Sequence, residues 1–493
     1  MAAGHPLTAQ AGADVLREGG NAVDAAVAAM LMSFAAEPLL TGLGAGGYMM
    51  VAGGGHEPAL LDFFVEAPER AQDGTAAELE AVDVSFGDAV QVFYIGPASC
   101  GVYGAPAGVC EAAARWGTID LAELAAPAAK LARDGVVLNV GQAYIVEILA
   151  DLLRSTPECA ELWAPDGRVL REGELLRNPE LGDALVRLGK DGAKPFYSGD
   201  IAEAVCAWLG ERGGSLSREE LGSYRAIERE PLRIRYRDRE VLTNPPPSAG
   251  GTLLAYSLGL LDAQPAPPSL GAVIAAMEAA QGERTAEFME GLGEEGFLAC
   301  FLSSRLGSTT HISVLDSHGR ACSVTCTNGE GSGVVVPGTG IHLNNVMGEE
   351  DLSPLGFHSH PVGRRMPSMM APTVVMLADR RSRRSPIGGE VELVLGSAGS
   401  NRIRSALLQT IVGVVDRGLR APEAVSAPRA HFERGIVYHE PGIEPVGSSD
   451  QKREVVRFHE PNLFFGGVQA VQRCGEELIG AGDPRRGGVA VVV

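Results

Sequence analysis

The chain has 493 residues, of which 45% are hydrophobic and 21% charged, and a formal net charge of −21 at pH 7. This is an ordinary soluble composition on a length ample for a large core. The acidic balance excludes a nucleic-acid partner, because phosphate binding needs clustered Lys and Arg.

No leader-like stretch opens the sequence, so a cytoplasmic location is expected. An amphipathic pattern follows MAAGHPLTAQAG directly. The longest apolar run, from Ala22 to Ala36, is too short to cross a membrane and carries Asp24. Val23, Val27, Met30, Leu31 and Phe34 recur there at helical spacing among alanines, so this helix is expected to be buried against a sheet and to end at Pro38. Further helical patterns fall near 107–117, 121–134, 140–154, 178–190 and 199–213. Another fills 270–290, where an alanine-rich, acidic character predicts a solvated face. The segment 231–242 alternates and reads as one strand. From Thr310 onward strands dominate, at 310–316, 320–327, 371–378 and 390–396. A helix is expected at 401–417, then strands near 435–439, 454–459, 466–472 and 487–493. A helix-rich first part and a strand-rich second part predict stacked α and β layers around a shared core.

Eight cysteines are scattered without the spacing of a zinc site, and no metal or other cofactor is expected. Cys322 and Cys326, four apart on a predicted strand, face one side as reduced core thiols. His358 and His360 lack a third ligand and read as surface polar residues. Gly42 to Gly47 satisfy GxGxxG, but a dinucleotide site needs a strand before the glycines and a helix after them. Here the helix comes first and strand-like Tyr48–Val51 follows, which points instead to a turn where backbones pack closely.

The stretch from Thr310 to Asp316, then Ser317-His318-Gly319, then Arg320 to Thr327 carries a hairpin signal. If Asp316 faces Arg320, Thr309 lies opposite Thr327 to within one residue of register, at a spacing that lets two hydroxyls meet. A threonine at a new chain terminus is both nucleophile and part of its own base, since its α-amine titrates at about 7.7–8.0. By spacing alone, Thr309 and Thr310 read rather as ordinary β-branched strand residues. His311 reads either as a packed core residue or as a donor behind the nucleophile.

Ordered motifs decide between these readings. They include HPLTAQAGADVLREGGNAVDAAVAA at 5–29, GLGAGGYMMV at 42–51, LARDGVVLN at 131–139, PFYSGDIAEAV at 195–205 and NPPPSAGG at 244–251. The most diagnostic are TTHISVLDSHGRACSVT at 309–325, VPGTGIHLNN at 336–345, SMMAPT at 368–373 and GSAGSNRI at 396–403. With these the chain resembles the gamma-glutamyltranspeptidase family of N-terminal-nucleophile hydrolases, almost end to end. The resemblance implies an α+β fold, a four-layer αββα sandwich, made as one zymogen that cuts itself after Ser308. Residues 1–308 would form a large fragment and 309–493 a small one, intertwined as a heterodimer. Thr309 would attack the amide of a small γ-glutamyl substrate, giving an acyl-enzyme resolved by water or an amine, with no membrane or nucleic-acid partner. Thr327 matches the hydroxyl supporting the nucleophile. Gly399 and Ser400 fall where the family's Gly-Gly pair supplies oxyanion donors, with serine in a place that favours glycine's positive φ.

The head-group pocket departs from the family pattern. Phe64 stands where the family has an arginine for the substrate α-carboxylate. Ser368 keeps the first of two paired serines, but Met369 replaces the second. Val346 replaces a glutamine, and the acid gripping the α-amine falls on Glu349, Glu350 or Asp351. Asn328 matches the family's substrate-binding asparagine. Two readings follow. Either another cation, Arg364 or Arg365, replaces the lost arginine, or the acyl group lacks an α-carboxylate, as for acylase or amidohydrolase relatives. A non-catalytic homologue acting as a binding protein is the alternative outside enzymes.

Overall fold

The computed structural model of the protein describes residues 1–68, 78–85, 90–282, 310–349, 352–353, 356–358, 360–377, 389–443 and 453–493. Two sheets form its middle. The first contains β1 (Ala2–Ala3), β2 (Gly46–Gly53), β3 (His56–Phe63) and β4 (Ile227–Arg229), and the second begins with β5 (Leu232–Tyr236) and β6 (Arg239–Thr243). Beyond residue 309 come β7 (Thr310–Leu315), β8 (Arg320–Thr327), β9 (Thr373–Leu377), β10 (Val391–Ala398), β11 (Gly467–Cys474), β12 (Glu477–Ala481) and β13 (Val489–Ala490). The first sheet runs β13-β1-β7-β8-β2-β3-β4 and the second β12-β11-β10-β9-β6-β5. Strands from both sides of residue 308 therefore share each sheet.

Helices cover both outer faces. α1 (Pro6–Arg17), α2 (Ala22–Ala36), α3 (Ala105–Trp116), α4 (Leu121–Asp134) and α6 (Pro179–Asp191) belong to the first half of the chain, with the shorter α5 (Val140–Ile148) between α4 and α6. α7 (Ala249–Asp262), α8 (Leu270–Gly282) and α9 (Arg402–Val415) flank the second sheet. Three apolar clusters fill the gaps: Val27, Leu31 and Phe34 with Val314 and Val324 under the first helix layer. Tyr48, Met50 and Leu60 meet Val374 and Val394 between the sheets, and Leu254, Leu258 and Leu407 meet Val375 and Leu395 under the second helix layer. Three interfaces make four layers, an αββα sandwich of the α+β class.

All 15 residues of α2 are buried, as its all-round apolarity requires. Asn21 caps it by accepting from Val23 and Asp24, and Asp24 returns the bond to the Asn21 N–H. The buried Asp24 carboxylate also accepts from Thr118 and from the Ile119 N–H, so its burial costs no unmade bond. The β7–β8 hairpin has the expected register, with Thr310 opposite Cys326 and Leu315 opposite Ala321. Its turn is held by Asp316, which accepts from the His318 and Arg320 N–H groups and, through its second oxygen, from Ala22 at the start of α2. Cys322 and Cys326 are free thiols buried toward the helix layer. The glycine run leads from α2 into β2, the reverse of a dinucleotide site. A Cβ on Gly44 would stand 2.4 Å from the His342 carbonyl oxygen, so the close approach needs glycine there.

Several expectations are corrected. The single strand at 231–242 is the β5–β6 hairpin, which turns at Arg237 with φ of 55°. The helix at 140–154 is broken after Ile148. α8 is described to Gly282 and buries Val273, Ile274, Met277 and Gln281, while residues 283–290 of the expected helix, with most of its acids, lie outside the described residues. The last strand is only Val489–Ala490, pairing with β1.

Candidate active site

β8 ends at Thr327, whose Oγ1 accepts from the Gly329 N–H at 2.8 Å. Asn328 is buried behind it, donating its N–H to Leu40 and its Nδ2 to the His342 carbonyl at 3.5 Å. Its Oδ1 has no hydrogen-bond partner among the described residues. Glu349 comes to the same turn: a Cβ on Gly329 would stand 2.6 Å from its Oε1. Thr309, Glu350 and Asp351 lie outside the described residues.

At the same end of the sandwich, β10 stops at Ala398 and α9 begins at Arg402. Gly399 and Ser400 form the junction, with φ of 112° and 56°. Serine thus occupies the left-handed region despite its Cβ. Neither backbone N–H donates to an acceptor among the described residues, while both carbonyls accept from the first turn of α9. Two open N–H groups at a helix start are an electropositive cradle for developing negative charge.

Thr310, the first described residue of β7, faces the helix layer. Its hydroxyl donates to Glu37 Oε1 at 3.2 Å, and Thr8 donates to Glu37 Oε2 at 2.8 Å. Burial pushes the Glu37 carboxyl up to about 7, against the opposing pull of these hydroxyls and of Arg486. The sequence reading missed Glu37, although an acid closing a wholly apolar helix just before Pro38 was a visible signal. His311 faces the other way, into the space between the sheets. Its ring nitrogens lie 2.8 Å from Thr325 Oγ1 and 2.9 Å from Ser313 Oγ, and burial lowers its pKa to about 3. It is a neutral packed residue tying β7 to β8.

A family model for gamma-glutamyltranspeptidase matches residues 8–291 and 298–493. The chain belongs to the gamma-glutamyltranspeptidase family. It is 30% identical to the glutathione hydrolase proenzyme of Escherichia coli (strain K12), over 97% of this chain and 88% of that relative. It is also 30% identical to the acylase ACY 1 proenzyme of Pseudomonas sp. (strain SE83), over 89% of this chain and 83% of that one. The fold matches cephalosporin acylase from Bacillus halodurans with a TM-score of 0.81 at 25% identity, covering 99% of this chain and 94% of that chain. Helicobacter pylori gamma-glutamyltranspeptidase matches with a TM-score of 0.52 at 28% identity, covering 57% and 82%. The protein is therefore an enzyme with the N-terminal-nucleophile hydrolase fold.

In this gamma-glutamyltranspeptidase family member the residues at the head-group positions are packed away. Phe64 is buried between the sheets, stacked on Tyr48 at 5.6 Å between ring centroids, in one cluster with Val346, Met366 and Met370. Met369 does not share that corner and packs under the second helix layer instead. Ser368 is buried and turned onto its own loop, its Oγ accepting from the Met370 N–H at 3.0 Å. The expectation that Arg365 replaces the lost arginine is corrected by its partners. It is buried, with Nε 3.3 Å from Asp62, paired with Glu66, and lies 4.3 Å over the Tyr224 ring. Glu66 and the Arg225 carbonyl take its two terminal nitrogens, so it has no fork left for a substrate. Among the described residues no group of three His, Cys, Asp or Glu is placed to hold a metal ion. No described helix is long and apolar enough to cross a membrane.

Proposed function

We propose that the chain is a self-processing amide-cleaving enzyme whose nucleophile is Thr309, freed by cleavage after Ser308. The observation that carries this reading is the β7–β8 register, which pairs Thr310 with Cys326 as the hairpin arithmetic requires and leaves Thr327 as the next residue of β8. The proenzymes among its relatives support the cleavage. The two fragments, 1–308 and 309–493, then stay together through sheets that both contribute to.

In this reaction the freed α-amine accepts the Thr309 hydroxyl proton as the oxygen attacks the amide carbonyl. Thr327 orients that hydroxyl, and the Gly399 and Ser400 N–H groups take the developing oxyanion. The ammonium then returns its proton to the leaving amine, leaving an ester that water or a second amine resolves. Asn328 borders the substrate, while Glu349, Asp351 and Ser368 stand at positions where the family holds an α-amino-acid head.

The acyl group is of the acylase kind, without an α-amino-acid head. Phe64 and Val346 give no charge or hydrogen bond where the family's head-group residues stand, and Arg365 is committed elsewhere. Intact mass of the purified protein tests the processing. Two fragments dividing between Ser308 and Thr309, with a Thr309→Ala variant left whole, are expected. A persistent single chain, or a variant that still divides, contradicts the assignment. Faster turnover of a γ-glutamyl anilide than of a plain acyl anilide contradicts the substrate reading.

A further inference from the structure

A cavity of about 60 Å³ lies where α5, the end of α2 and the last turns of the chain meet. Thr310 and Ala398 both line it, so it adjoins the residue after the proposed nucleophile and the residue before the oxyanion loop. Its walls are mostly apolar: Leu39, Leu40, Ile145, Val146, Trp163 and Leu463. The head-group positions Phe64, Val346 and Met369 are not among its lining.

The polar atoms left over in this pocket have one character. Arg486 makes a single hydrogen bond, from Nη2 to the Leu463 carbonyl at 3.3 Å, and its Nε has no partner among the described residues. No described carboxylate lies within ion-pair distance of it. Trp163 Nε1, of another lining residue, is likewise buried without a partner among the described residues. Both are donors, and neither can accept. Neighbouring Arg485 shows the contrast, since it is paired with Glu440 and Asp483. Glu37 also lines the pocket, but both of its oxygens are taken by threonine hydroxyls. Burial and the charge of Arg402 bring the Arg486 guanidinium down to about 10, against the opposing charges of Asp483 and Glu330, neither of which reaches it as an ion pair. A Cβ on Gly399 would stand 3.3 Å from Arg486 Nη2, which sets the guanidinium against the oxyanion loop.

We infer that this pocket is the specificity subsite of the enzyme, and that it takes a substrate with an apolar body and a carboxylate bound by Arg486. A carboxylate supplies the missing acceptor, and an aliphatic or aromatic body fits the leucine, valine and tryptophan wall. The carboxylate belongs either to the acyl group or to the leaving amine. This inference rests on the amidase reading for the word substrate, but its test does not.

Calorimetric titration of the purified protein with hexanoate and with hexanamide separates charge recognition from apolar burial without any turnover. Hexanoate is expected to bind at least about tenfold more tightly, a charge-assisted preference lost in Arg486→Met and kept in Arg486→Lys. Equal binding of the two probes to the unaltered protein overturns the inference, whether or not the variants fold. Turnover then locates the carboxylate. The mono-anilide of a seven-carbon diacid carries it on the acyl side, and hexanoyl-4-aminobenzoate carries it on the amine side. A lower KM than hexanoyl anilide for the first or the second assigns the side, and a lower KM for neither overturns the inference. If the chain stays uncut while hexanoate still binds selectively, the amidase reading fails and the anion pocket stands.

Discussion

Replacing Glu37 with glutamine tests the electrostatics beneath the strand that follows Thr309. Glu37 is wholly buried, and burial carries its carboxyl from 4.5 to about 7. The hydroxyls of Thr8 and Thr310 and the charge of Arg486 oppose that rise, and His5 nearby is held neutral by a pKa of about 4. Between pH 4.5 and about 7 the folded chain holds a proton that the unfolded chain has lost. Stability therefore falls as pH rises through this window and is level above it. The full change is roughly 3 kcal/mol at 1.36 kcal/mol per pKa unit. Glutamine stays neutral throughout and removes this dependence. Urea unfolding of both proteins at pH 4, 6 and 8 is the assay. The variant is expected to gain on the parent by roughly 2–3 kcal/mol between pH 4 and 8. A difference that does not change with pH refutes the reasoning.

Arg365→Met leaves the partly buried Glu66 without its cation and the buried Asp62 with Arg229 alone, and is expected to cost about 3 kcal/mol in chemical unfolding. If the arginine held a substrate carboxylate instead, stability would be kept and KM would rise. Ser400→Gly relieves a left-handed serine, and urea unfolding should show a gain of about 1 kcal/mol with the oxyanion loop retained. An unchanged or lower stability would mean that the serine hydroxyl holds the turn.

How much of this was legible in the sequence follows from the range over which each feature is determined. α2 was legible because an apolar run at helical spacing before Pro38 leaves few other structures, and the helix ends at Ala36, two residues short of the proline. The β7–β8 register was legible because Gly319 fixes the turn and every later pair follows from it. The β5–β6 turn was hidden, since Arg237 takes a positive φ that glycine would have announced. The buried face of α8 was hidden because alanine reports little about which side of a helix packs. The charge network of Arg365 joins residues about 300 positions apart in sequence, beyond any local pattern. The same holds for Arg486: adjacent arginines look alike until one is seen to be paired and the other not.

The most direct measurement on the central claim is peptide mapping of the acyl-enzyme. The processed protein, quenched in acid during turnover of a slow acyl anilide, is digested and the mass shift located. The acyl group is expected on the peptide that begins at Thr309, as an ester on its hydroxyl, and is expected to be absent from a Thr309→Ala protein. An acyl group on any other residue, or turnover without an adduct at a new threonine terminus, contradicts the account.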